Sequence, residues 1–541
     1  MNHLLSKPWH QALRRWSALA LGLGLAASAS ALSLEQAQTL AQGDTDARMA
    51  IVQNLVATDD AAGQVLVKAL AAERVMTVGE RVYWVREDDQ LQDAVSGDVI
   101  AWPGEAQEVT INNRLRGALA VAVAGMDVLQ AGPERQREAA RILQREAFEA
   151  PEDAPQEVIA KALARSGLDA DAKQYLSLAA AAVAMTDANP GVRLRAAQEL
   201  GQAKLAIVRP LLLAREQAEG DAAVKAALHA SLASVDRSLA INRSLAELFT
   251  GLSLGSILLL AALGLAITYG LMGVINMAHG ELIMIGAYAT WLVQRGFQLY
   301  LPAWFDAYLW LAMPLAFMAS AVIGALMERL VIRHLYGRPL ETLLATWGIS
   351  LVLMQAVRSL FGAQNVGVEN PSWMSGSLSL MGSLNLPWNR VLIVVFAALV
   401  LLGVSLLIAR TRLGLFVRGV TQNRPMASCM GVNTARIDTY AFSLGAGVAG
   451  LAGCALSQIG NVGPDLGQNY IVDSFMVVVL GGVGQLAGTV YAAVGLGVLN
   501  KFIEGWAGAV LAKIAVLIFI IVFIQKRPQG IFAMRGRSAE A

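Results

Sequence analysis

The 541-residue chain is 56% hydrophobic with a mean hydropathy of +0.51, too apolar for an ordinary soluble protein and long enough for more than one domain. Its net charge is +1, and the basic residues of the second half gather beside apolar runs, where membrane topology explains them and nucleic-acid binding does not. Two cysteines, Cys429 and Cys454, leave no disulfide framework or zinc site.

Residues 1–31 read as a secretory signal: Lys7, Arg14 and Arg15 precede the apolar run 16–27, and Ala29, Ser30 and Ala31 form a small-residue cleavage site. That run is short for a membrane span, which favours cleavage over anchoring. Residues 32–243 are Ala-rich but laced with charge, and read as an exported, mainly helical domain. Helical periodicity covers 34–41, 61–74, 133–150, 156–164 and 172–186. The segments starting at Asp187 and Glu219 each place a capping Asp ahead of Val, a basic residue and an Ala/Leu stripe, as HEAT-type helical hairpins do, at a shorter period. Residues 75–113 change character, with alternating VMTVGERVYWV and punctuation at Gly97, Pro103 and Gly104, which predicts a small β insertion. His229 is the one histidine of this domain and stands on an Ala-rich helix, so the domain reads as a binding or docking module without chemistry of its own.

Apolar runs follow at 252–271, 274–293, 309–330, 343–361, 391–409, 440–457, 471–483, 487–502 and 510–524. The fold class is therefore an all-α polytopic membrane protein of about eight or nine transmembrane helices (residues 244–541) behind a mainly helical exported domain. An exported N-terminal domain and an odd number of spans put the C-terminus in the cytoplasm, in agreement with Lys526, Arg527, Arg535 and Arg537. The same count puts Arg329, Arg333, His334 and Arg338 inside, together with the run 410–436. That run carries five arginines and no acidic residue before Asp438. A helix over 413–420 and a break at Pro425 make it a contact surface. The loop 362–389 falls outside, and Trp304, Trp310, Trp373, Trp388 and Trp506 lie near span ends as an interfacial belt.

Within the spans, Gly445, Gly447, Gly450 and Gly453 follow one another along one run, and Gly481, Gly482, Gly484 and Gly488 along the next. Small residues at such spacing let helix backbones approach closely in lipid. GGVGQLAG has the wrong spacing and context for a dinucleotide fingerprint. NMAHGELIMIGAY, residues 276–288, brings Asn276, His279 and Glu281 to the start of a span. A charged group there costs on the order of 3 kcal/mol on insertion scales, so Glu281 should face protein or a solute pathway, or else sit in a first helical turn where the dipole favours it. Asp473 offers the same two readings from an interfacial position. Glu328, beside Arg329 and Arg333, reads as an interfacial ion pair. His279 has no second metal ligand near it in sequence. No phosphate-loop motif occurs, so nucleotide hydrolysis by that mechanism is excluded for this chain.

Four stretches carry a resemblance: 270–288, 410–453, 478–497 and the KRPQGIF of 526–532. In order and spacing they resemble the permease subunits of branched-chain amino-acid type ABC importers, over most of 245–532. The added exported domain makes the chain similar to the urea-type permease subunit of that family. The resemblance implies transport without enzymatic activity, cofactor or metal, at the inner membrane in lipid. It implies a second homologous permease subunit, two cytoplasmic ABC ATPase subunits and a periplasmic solute-binding protein as partners. Urea is the implied solute, with branched-chain amino acids and short amides as alternatives. Arg418, Arg424, Pro425, Gly431 and Asn433 match the family's coupling loop, where ATPases dock, and Asn276, His279 and Glu281 match a motif assigned to the pathway. Two rival functions are a passive channel for a small polar solute and a receptor signalling through its spans.

Overall fold

In a computed structural model, residues 32–57, 60–86, 90–102, 106–380 and 384–532 are described. The expected signal segment 1–31, Pro103 and Gly104 of the β insertion, and Arg535 and Arg537 of the basic tail lie outside them. Chain packing defines two compact units, divided between Leu239 and Ala240.

The first unit has two cores. One collects α1 (Leu34–Gln42), α2 (Thr45–Ala57) and α3 (Ala61–Ala71) around a five-stranded antiparallel sheet. Its strands are β1 (Val75–Val78), β2 (Arg81–Val85), β3 (Leu91–Asp93), β4 (Val99–Ile100) and β5 (Gln107–Glu108), in the order β4-β3-β2-β1-β5. Val78 opposes Arg81 across a turn at Gly79, whose φ of +60° suits a residue without Cβ. The predicted β insertion is thus a meander closed by β5.

The other core is helical: α4 (Asn113–Gln130), α5 (Pro133–Glu149), α6 (Gln156–Ala164), α7 (Ala170–Ala184), α8 (Pro190–Ala203) and α9 (Val208–Ala218) pack around Leu143, Ile159, Leu176 and Leu200. The two repeat-like segments do interlock. Arg193 donates to both carboxylate oxygens of Glu219, at 2.8 and 2.7 Å, which holds the Glu219 pKa down to about 2. Asp221 caps the next helix by accepting from Ala223 and Val224, whereas α8 is capped by Asn189, with Asp187 one step further out.

The helix α10 (Ala222–Met272) carries the first span of the second unit. After it come α11 (His279–Tyr300), α12 (Tyr308–Leu330), α13 (Pro339–Phe361) and the hairpin β6 (Ser377–Leu380) and β7 (Leu384–Pro387). The remaining helices are α14 (Trp388–Arg410), α15 (Arg412–Gln422), α16 (Arg424–Cys429), α17 (Thr434–Ser457), α18 (Leu466–Gly481), α19 (Leu486–Ala507) and α20 (Ala509–Lys526). Among the described residues seven helices are long and apolar enough to cross a membrane; α11 and the sixteen-residue α18 are the two expected spans outside that set. The expected span 274–293 starts late, because 273–278 is not helical. The loop 362–389 holds the β6–β7 hairpin and a short 3-10 turn whose Ser372 donates to Asp306.

The axis of this unit is α17, 78% buried over its apolar window against 17% for α14 and α20. Its glycines explain why. A Cβ on Gly445 would stand 2.7 Å from the Gly264 carbonyl oxygen of α10. One on Gly447 would enter the Phe317 ring of α12, one on Gly450 would meet the Ala316 carbonyl, and one on Gly453 the Ile283 carbonyl of α11. Each glycine therefore serves a close helix approach, as expected of small residues in lipid. Gly481 and Gly488 meet each other backbone to backbone across the α18–α19 turn. Gly482 and Gly484 lie in that turn with φ of +98° and +78°. There Ile531 donates to the Leu480 carbonyl at 2.8 Å, so the KRPQGIF stretch clasps the turn.

Candidate functional site

Two polar regions of the bundle hold most of the predicted site residues. The first is the break between α10 and α11. His279 lies 2.9 Å from a Cβ placed on Gly264, and its Nε2 is 3.0 Å from the Ala261 carbonyl oxygen, which can only accept. Ala261 stands eleven residues before Met272, about 16 Å along the helix. The six residues 273–278 must therefore run back alongside α10, and α11 starts in the middle of the bundle. Helix breaks inside a membrane protein survive only where protein or a cavity satisfies the freed backbone. Here Thr346 of α13 does so, accepting from the Met277 amide at 3.2 Å.

Asn276, His279 and Glu281 are all buried at this break. Glu281 sits in the first turn of α11 and accepts one hydrogen bond, from Ser350 of α13 at 2.9 Å. Its second carboxylate oxygen has no partner, nor do Asn276 Nδ2, His279 Nδ1 and the Tyr288 hydroxyl. An unsatisfied buried polar atom costs about 1–3 kcal/mol, so four of them in one stretch need a reason. Chemically, they offer a small polar molecule acceptors, one amide donor and a hydroxyl able to donate or accept. The start of α18 joins them: Gly280 and Gly467 touch so closely that a Cβ on either would strike the other's carbonyl. Two helix N-termini thus meet beside the polar cluster.

Asp473 is elsewhere: it stands halfway along α18, half-buried.

The second region is the basic end. α15 buries Gly414, Val417 and Val420 and exposes Leu415, Phe416 and Arg418. The break expected at Pro425 falls at Asn423, which ends α15 and caps α16; Pro425 itself lies in the first turn of α16, where a missing N–H costs nothing. Met426 and Met430 are exposed there. Gly431, at φ +83°, turns the chain, and Asn433 caps α17 by accepting from the Arg436 amide. Arg424 alone among the predicted coupling residues is held by a carboxylate. It donates to both oxygens of Asp438, at 2.7 and 2.8 Å, and lies 5.1 Å above the Tyr336 ring. Of the two arginines beside it in sequence, Glu328 forms the expected ion pair with Arg333. It is fully buried and accepts from Thr439 at 2.6 Å, Tyr336 at 3.0 Å and Arg333 at 3.3 Å, because it sits on the inner face at the end of α12.

Residues 247–525 match the model of the branched-chain amino acid transport system / permease component family. The chain belongs to that family. It is similar to the high-affinity branched-chain amino acid transport system permease protein BraD of Pseudomonas aeruginosa, 31% identical over 54% of this chain and 96% of BraD. It is likewise similar to LivH of Escherichia coli, 29% identical over 53% of this chain and 94% of LivH. A weaker likeness, 25% over 51% of this chain and 68% of the relative, joins it to LivM of Salmonella typhimurium. No solved structure matches.

As a transport permease, the chain is not an enzyme. Sequence reasoning missed Ser350, Thr346 and Tyr336, because nothing in a span or a short loop marks which face packs on a helix far away in sequence. Asp438 did leave a signal: it is the first acidic residue after a long arginine-rich run, and buried carboxylates beside arginine are usually paired.

Proposed function

We propose that the chain is one permease subunit of an ATP-driven importer for a small polar solute rich in N–H donors. In this reading residues 1–31 are a signal, residues 32–243 are exported, and the basic end of the bundle faces the cytoplasm. The observation that carries it is the coincidence, within the family match, of a helix broken at a buried polar cluster and an exposed pair of basic, apolar-tipped helices. Glu281 and Tyr288 supply acceptors along the pathway, and Leu415, Phe416, Arg418, Met426 and Met430 form the ATPase docking face. A second permease of LivM kind, two ATPase subunits and an exported solute-binding protein complete the assembly.

For the solute, the names of the relatives support a branched-chain amino acid. A second reading, urea, is favoured by the 32–239 unit, which lies outside the matched residues and is the feature that resembles the urea-type subunit. Both solutes present N–H groups to carboxylate and hydroxyl oxygens. Uptake of labelled leucine and labelled urea, each with the other as competitor, in cells lacking and then regaining the chain, decides between them. Loss and rescue of one uptake alone assigns the solute; both uptakes unchanged overturns the import reading.

A further inference from the structure

Arg424 lies on the helix proposed to meet the ATPase, yet its guanidinium is spent on Asp438 at the foot of α17 and on the Tyr336 ring. The Tyr336 hydroxyl has two neighbours, Glu328 Oε1 at 3.0 Å and Met272 Sδ at 3.3 Å. Its one proton goes to the carboxylate, the stronger acceptor, and the soft thioether packs against the oxygen. Burial raises the phenol above its ordinary pKa, so it stays a donor. Glu328 is shared in turn by Thr439 of α17 and by Arg333. One compact cluster therefore joins α16 to the ends of α10 and α12 and to the start of α17. Met272 is the last residue of α10, and the break holding Asn276, His279 and Glu281 begins directly after it.

We infer that Arg424, Tyr336 and Glu328 form a relay that carries movement of the α15–α16 segment to the end of α10 and so to the 273–278 break. The inference rests on the docking reading above. All three are positioning residues, acting through Met272 on the pathway. The links are stiff where stiffness is needed: a two-oxygen guanidinium–carboxylate pair, a planar ring and a carboxylate with three donors. The break is the compliant part, since a non-helical segment can absorb a change of backbone angles.

The test uses the whole transporter in proteoliposomes, with ATP hydrolysis and uptake of labelled leucine and labelled urea measured in the same vesicles. Tyr336→Phe removes one hydroxyl and keeps the ring beneath Arg424. ATPase copurification and hydrolysis should stay within about twofold of the parent, while solute moved per ATP falls at least about fivefold. Glu328→Gln should uncouple similarly, and the double variant should be no worse than the poorer single one, because linked residues are not additive. Unchanged solute per ATP in Tyr336→Phe, or uptake and hydrolysis falling together, overturns the relay. A parent chain that brings down no ATPase overturns the docking reading, and the relay with it.

Discussion

Gly445→Ala adds one methyl group at the crossing of α10 and α17. That carbon would stand 2.7 Å from the Gly264 carbonyl oxygen and 2.7 Å from the Thr268 methyl. Reaching an ordinary 3.4 Å contact requires the two helices to part by about 0.7 Å. Neither can: α17 is closed on its other sides by the Ala316 and Ile283 carbonyls, which crowd Cβ positions on Gly450 and Gly453, and α10 is held against α19, where a Cβ on Gly255 would stand 2.9 Å from the Ala493 carbonyl oxygen. Overpacking of this kind costs about 1–3 kcal/mol. The control is Gly403→Ala in α14, where the added Cβ meets nothing within 4 Å. Both changes gain the same helix propensity, up to about 1 kcal/mol, so it cancels in the comparison. The two variants should therefore differ by about 1–3 kcal/mol, Gly445→Ala melting lower by roughly 2–12 °C at about 2–4 °C per kcal/mol. Fluorescence-detected size-exclusion after heating full-length protein in detergent reads this directly. Equal melting of the two variants, or a lower value for Gly403→Ala, refutes the close-approach account of α17.

Glu281→Gln keeps the bond from Ser350 and replaces only the unpartnered oxygen, so membrane insertion should be normal while solute uptake falls at least about tenfold; uptake within twofold would leave Glu281 a purely structural first-turn residue. Glu219 has its pKa lowered from 4.5 to about 2 by Arg193, so the stability it contributes is complete above pH 4.5 and is lost as pH falls toward 2. Circular dichroism melts of the full chain should show this acid loss, diminished in Glu219→Gln; an identical pH profile in both would count against it. Gly530→Ala forces a side chain onto a φ of +77° and puts its Cβ 2.7 Å from Gly482 Cα, a conformational cost alone of about 1–2 kcal/mol. Limited digestion with trypsin should then cut after Lys526 faster than in the parent, and an unchanged cleavage rate would show that the clasp on the α18–α19 turn is unimportant.

Periodicity and charge made most of the membrane unit legible. Long apolar runs such as 391–409 have one physical reading, and the glycine series of α17 announced a helix pressed on several sides. What failed was depth. The run from Val274 looked like the start of a span because Val, Ile and Met are apolar, yet Thr346 holds its backbone in a non-helical path. Glu328 read as an ion pair beside two arginines and does pair with Arg333, but sequence does not say that the inner face of α12 ends on it and buries it against Thr439 and Tyr336. The break expected at Pro425 falls two residues earlier, at Asn423, because proline cannot continue a helix interior but suits the first turn of the next one. For the polar cluster, residue types pointed to Asn276, His279 and Glu281, while Ser350 and Tyr288 join them only through packing.

α10 and α17 share a second property that bears on how a pathway could open. Each is followed by a non-helical stretch, 273–278 and 458–465, and then by a helix that begins inside the bundle. The two pairs touch glycine to glycine twice, Gly264 against Gly445 and Gly280 against Gly467, and each glycine faces the other's carbonyl. Contacts without side chains fix the distance between helices more tightly than they fix bending beyond the contact, because no interdigitated side chain has to be withdrawn. Bending should therefore concentrate in the two breaks, whose backbone lacks regular helical hydrogen bonding. Glu281, Asn276 and His279 stand at one of them, and Asp465 closes the other. In the proposed importer, solute contact and helix bending then fall on the same few residues: a molecule that satisfies the free oxygen of Glu281 also biases the backbone conformation of the break beside it.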